Sequence, residues 1–194
     1  RNVAHRAHEF IQMSALDKSN ADGLFISPVI GPKKKGDFHA GPILKAYQCL
    51  IDHGYYPQDK VLLGGFATYS RYSGPREAIF TALCRKNFGC SHFIIGRDHT
   101  GVGEFYGADE NKNLFEKLGD IGIRPIFFNS VGYNEISNQI EEAQDGENSL
   151  KSISGTIVRK SIQERQKLPE WAIRGEVQDV LIDLVSKRQE VFVD

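Results

Sequence analysis

The sequence is poor in cysteine, in net charge and in long apolar runs. Its three cysteines, Cys49, Cys84 and Cys90, include no Cys-x-x-Cys pair. An odd number without paired spacing argues against a disulfide framework and a structural zinc site, and leaves free thiols of a reducing cytoplasm. Lysine and arginine total 24 against 25 aspartate and glutamate, a formal net charge of −1. No global positive field therefore draws in nucleic acid or anionic lipid. No apolar stretch approaches the roughly 20 residues that cross a bilayer, and no signal peptide follows Arg1. The expectation is a cytoplasmic protein that binds neither nucleic acid nor membrane.

What is present is the material of one sizeable core: 40% hydrophobic and 25% charged residues. Helical and strand-like patterns alternate. Residues 4–15, 43–52, 76–87 and 112–118 have helical character; 24–30, 61–66, 92–96 and 124–128 read as short apolar strands. Strands alternating with helices predict an α/β fold, a parallel sheet with helices on both faces. The chain enters a helix within a few residues of Arg1, so the first strand of such a sheet is expected to be cut off from a longer protein. Residues 129–149 are polar and acidic and predict a surface helix and a linker. Helices over 156–166 and 175–187 then form a small helical C-terminal unit. The expected division is 1–148 and 149–194.

Ligands of parallel sheets sit at the carboxyl ends of strands, so the strand-to-helix loops hold the candidates. His5 and His8, three apart at a helix start, face one way near the positive end of the helix dipole. Such a pair suits phosphate or metal, but read alone it is a weak signal that an exposed or core position explains as well or better. Gly96-Arg97-Asp98-His99-Thr100-Gly101 follows a strand and combines glycines with three polar side chains that packing seldom requires. At the start of the third helix, Arg76 is either a phosphate contact or, with Glu77, a solvated first turn. Ser154-Gly155-Thr156 opens a helix one turn before Arg159; it reads either as a triphosphate grip or as a plain N-cap. Gly31-Pro32-Lys33-Lys34-Lys35-Gly36-Asp37 is a basic loop after a strand, with Lys35 as a candidate phosphate contact.

In their order and spacing these segments resemble one family, the ATP sulfurylases or sulfate adenylyltransferases of the bacterial and archaeal type. The segments are Arg1-Asn2 with His5-Arg6-Ala7-His8-Glu9, the Lys33–Lys35 loop, Gly74-Pro75-Arg76-Glu77-Ala78, Gly96-Arg97-Asp98-His99, and Ile153-Ser154-Gly155-Thr156 with Arg159. The resemblance runs over nearly the whole chain. It implies a Rossmann-like nucleotidylyltransferase domain that transfers AMP from ATP to sulfate, with Mg²⁺ accompanying ATP. It also implies a homo-oligomer and a PUA-like domain upstream of Arg1. By position it assigns Arg1 and Asn2 to sulfate and nucleotide, and His5 and His8 to the ATP phosphates. Gly96, Arg97, Asp98 and His99 would hold the nucleotide, with a sulfate contact from the Thr100 backbone. Arg159, after Ser154 and Thr156, completes the set, and Arg1, Asn2, His5, His8, Arg97 and Arg159 are the implied catalytic residues. The family usually has proline at the place of Val3, alanine at that of Thr100 and often arginine at that of Ile43. Relatives often carry a cysteine-rich zinc loop, but residues 132–149 contain no cysteine, so zinc is not expected and no metal ligand is assigned.

Sulfate is already a dianion at neutral pH, so the implied reaction needs positioning and charge stabilisation rather than a base. Competing readings are an adenylyltransferase with another acceptor and a nucleotide-binding paralogue without catalysis.

Overall fold

A computed structural model describes residues 2–96, 106–107, 109–144 and 149–194. Helix α1 (Arg6–Ser19) ends where Asn20 turns left-handed, at φ 49°. Strand β1 (Leu24–Ile26) follows, then α2 (Ala40–Asp52), β2 (Val61–Leu63), α3 (Pro75–Asn87) and β3 (His92–Ile95). Pro75 occupies the first turn of α3, where its missing N–H costs nothing. Next come α4 (Glu110–Leu118), β4 (Arg124–Phe127), β5 (Val131–Asn134), β6 (Gln139–Glu142), α5 (Gly155–Gln163) and α6 (Gly175–Ser186). The molecule is an α/β structure with parallel strands, and the strands are shorter than the apolar runs that announced them.

β1 pairs with β2 in parallel, Phe25 opposite Leu62, and β3 pairs with β4 in parallel, Ile94 opposite Ile126. Among the described residues the two pairs are not hydrogen-bonded to each other. The main core lies between α2 and the C-terminal helices: Phe38, Ile43 and Leu50 pack with Val158, Ile162, Ile173 and Leu181, all essentially inaccessible. A smaller cluster of Ala78, Ala82, Ile95, Phe115 and Ile123 joins α3 and α4 to β3. No described helix is long and apolar enough to cross a membrane.

The segment 129–149 corrects the reading above. It is not a surface helix: β5 and β6 form an antiparallel hairpin, Tyr133 opposite Ile140. The helix fails for local reasons. Asn134 Oδ1 accepts from the Ile136 and Ser137 N–H groups and shapes the turn. Glu141 takes a 2.7 Å bond from the Asn134 amide, and Glu142 pairs with Lys18 at 2.9 Å. Tyr133 stacks on Trp171 with ring centres 4.7 Å apart. Glu141 is thus partnered across the strands, while Glu135 and Glu142 pair with Lys151 and with Lys18 of α1.

Candidate active site

The histidine pair stands at the start of α1. His5 is its N-cap residue, in extended conformation, and its carbonyl accepts from the His8 and Glu9 N–H groups. The spacing of three brings the rings face to face, with centroids 3.7 Å apart and planes 27° from parallel. His5 is buried and His8 half-buried, and the Nδ1 atoms of both are buried without a partner among the described residues. Buried polar atoms seldom stay unpaired in a finished site. Burial lowers the His8 pKa to about 4 and, with the His8 ring beside it, holds His5 well below its ordinary value. Both rings are therefore neutral at physiological pH and present N–H donors and acceptors rather than charge.

Asn2 and Arg159, far apart in sequence, meet in the fold. One Arg159 amine donates to Asn2 Oδ1, and the other donates to Thr156 Oγ1 at 3.1 Å. A Cβ at Gly155 would overlap the Asn2 amide, so this approach requires glycine. Ser154 Oγ accepts from the Ile157 N–H at 3.5 Å, so Ser154 is the N-cap of α5. The Ser-Gly-Thr turn thus caps a helix and also carries the arginine that reaches the start of the chain.

The two loops after β1 and β2 close on each other. Gly31 N–H donates to the Thr68 carbonyl at 2.9 Å, and the Lys34 ammonium lies 3.6 Å from the Tyr72 ring centre. Lys33 turns back to the Val29 carbonyl at 2.6 Å. Lys35 and Arg76 are exposed. The reading of Glu77 as part of a solvated turn is corrected: it is buried, accepting from Arg71 N–H at 2.8 Å and Ser73 N–H at 3.1 Å. An acid in the first turn of a proline-started helix was the available signal, since such a residue reaches back to the loop before it.

A cavity of about 1240 Å³ opens between the strand pairs, lined among others by His8, Ser27, Arg85, His92 and Gly96. Arg85 belongs to a basic stretch with Arg71, Arg76, Lys86 and Arg97, and nothing in the sequence sets it apart from those neighbours as a site residue. It is buried, lies 4.1 Å from the Phe66 ring centre and donates to the Ser27 carbonyl at 2.7 Å. Its other amine and the Ser27 hydroxyl lack partners among the described residues. Arg1, Arg97, Asp98, His99 and Thr100 lie outside the described residues. Among the described residues no group of three or more His, Cys, Asp and Glu side chains is arranged to hold a metal ion.

Comparison with known proteins converges on one family. The ATP-sulfurylase family model matches residues 1–184. The sulfate adenylyltransferase of Ignicoccus hospitalis is 44% identical over 94% of this chain and 48% of its own length. That of Pyrococcus abyssi is 45% identical over 93% and 48%. The chain therefore spans about half the length of the curated relatives it matches. A solved structure, a hexameric APS kinase from Thiobacillus denitrificans, superposes with a TM-score of 0.68 at 21% identity, over 93% of this chain and 34% of the other. At that identity the likeness concerns the fold alone. With the family model covering nearly its entire length, the chain belongs to the ATP-sulfurylase family.

Proposed function

We propose that the full-length protein is a sulfate adenylyltransferase, converting ATP and sulfate to adenosine 5′-phosphosulfate and pyrophosphate. The observation that carries this reading is the stacked pair of neutral imidazoles with unpartnered Nδ1 atoms, three and six residues after Asn2, the partner of Arg159. A sulfate oxygen attacks the α-phosphorus in line, and the bond to pyrophosphate breaks as the new one forms. No proton has to be removed, so donors aimed at the phosphates do the work. His5 and His8 donate N–H bonds to phosphate oxygens, and Arg159 meets the charge that grows on pyrophosphate. Arg1 is the sulfate clamp, its guanidinium fork matching a tetrahedral oxyanion. Arg97, Asp98, His99 and the Thr100 backbone hold nucleotide and sulfate beside Gly96. Lys35 and Arg76, both exposed, are further phosphate contacts in this reading. Mg²⁺ would enter with ATP as part of the substrate and supply charge neutralisation, without a protein cage to hold it.

The fold reading is a Rossmann-like sheet in which one strand from elsewhere in the full-length protein lies between β1 and β3. Its support is the cavity there and the facing strand edges, unpaired among the described residues. Residues 1–148 would form the catalytic domain and 149–194 a helical unit that brings Arg159 to it. A PUA-like domain accounts for part of the remaining length of the relatives, and a cytoplasmic homo-oligomer completes the reading.

A coupled pyrophosphate assay on the full-length protein tests the acceptor. Release from ATP is expected only with sulfate, and equal release without it would sink the assignment. Zinc is expected to be absent from the purified protein, because residues 132–149 offer neither cysteine nor histidine. Elemental analysis finding about one zinc per chain would overturn that expectation.

A further inference from the structure

The turn that carries the histidines has backbone bonds to the His5 carbonyl but no side-chain cap. It is also tied to the segment that leads into α6. Arg6 N–H donates to the Ala172 carbonyl at 3.0 Å. Arg174 Nε donates to Glu9 Oε2 at 2.8 Å, with the two side chains 20% and 8% exposed. The other Glu9 oxygen is buried without a partner among the described residues, so Arg174 is the cation that answers this carboxylate.

Arg174 is itself held in orientation. Its guanidinium carbon lies 3.5 Å from the Tyr55 ring centre, and the Tyr55 hydroxyl donates to Glu176 at 2.8 Å. The segment beneath is braced by the buried Gln178. This side chain accepts from Leu168 N–H at 2.6 Å and donates to the Leu168 and Ile173 carbonyls, each at 3.0 Å. A side chain engaged this way leaves its segment little freedom.

Glu9 follows His8 directly and lies one helical turn beyond His5, so the ion pair grips the turn that bears the imidazoles. Buried ion pairs add little net stability over apolar contacts, but a charge-assisted bond to a planar guanidinium fixes direction. We propose that the Glu9–Arg174 pair is a positioning device that sets the rotation of the first turn of α1, and with it the stacked His5 and His8 rings. The inference rests on reading that pair as substrate contacts. Glu9 and Arg174 act through the histidines and are positioning residues.

The test uses full-length protein with ¹⁵N-labelled histidine and the variants Arg174→Gln, Arg174→Lys and Glu9→Gln. In Arg174→Gln the ring-nitrogen signals of His5 and His8 are expected to move while that of His92 stays; His53 stacks on Tyr55 and is no control. Turnover should fall about ten- to a hundredfold, the scale of small misplacements of catalytic groups, with the KM for ATP nearly unchanged. Arg174→Lys keeps the charge without the planar fork and should recover part of both readouts. If Arg174→Gln fails to fold, Glu9→Gln removes the same pair with a smaller change and is read in the same way. Unmoved His5 and His8 signals, or a His92 signal moving with them, overturn the proposal. The nuclear magnetic resonance readout does not depend on activity, so it separates this inference from the assignment of sulfate as acceptor.

Discussion

In the full-length protein, His8→Ala is expected to lower turnover about 10²- to 10³-fold, the usual loss when one donor aimed at developing charge is removed. Nucleotide affinity should change little, because the interaction strengthens mainly as pyrophosphate departs. The electrostatics of the site decide between donor and base. With its pKa pushed down to about 4 by burial, the His8 ring is a poor proton acceptor at neutral pH. Its neutral form still presents one N–H donor, and its Nδ1 has no partner among the described residues. His8→Asn replaces that donor by an amide of similar reach and should retain part of the rate lost in alanine. Arg159→Ala should act in the same direction, with loss of the bonds to Asn2 and Thr156. The check is forward kinetics with ATP and sulfate varied independently, across pH. If His8→Asn is as inactive as His8→Ala while the wild-type rate follows a base titrating near neutrality, the donor role is wrong.

Acid is expected to destabilise the protein through the same two rings. A histidine whose folded pKa lies below its unfolded value is neutral in the fold while the unfolded chain takes up a proton. The unfolded state therefore binds more protons between the two values, and stability rises with pH across that window. Its contribution is intact above the unfolded pKa of 6.5, declines as pH falls, and is lost once pH has passed the folded value near 4. At about 1.4 kcal/mol per pH unit, the His8 displacement amounts to roughly 3 kcal/mol, and His5 shifts in the same direction. Denaturant unfolding of wild type and His8→Asn at a series of pH values measures this. The variant should lose markedly less stability on acidification than the wild type, since asparagine takes up no proton. Parallel pH dependences would show that His8 is not buried neutral in the full-length protein.

Much of the local structure was legible in the sequence because its signals act over short distances. Proline at the first turn of α3 and the left-handed Gly89 just past its end bracket that helix. The apolar run at 92–95 is a strand as expected. Where the chain departed from expectation, composition misled. The acidic stretch 129–149 looked solvated, yet its polar side chains pair across a hairpin that stacks on Trp171. Glu77 looked like a surface acid and is a buried acceptor for the loop before α3.

The sequence by itself determined the family, through residues kept in order and spacing, and the starts of α3 and α5, through Pro75 and the Ser154 cap, which act within one turn. Only the tertiary structure decided which distant groups meet. Asn2 reaches Arg159, Glu9 reaches Arg174, and Arg85 finds the Ser27 carbonyl across the chain. It also decided the charge state of the histidines. A ring three residues from another can be exposed or buried on the same sequence, and only the packing around α1 removes the water that would keep it protonatable.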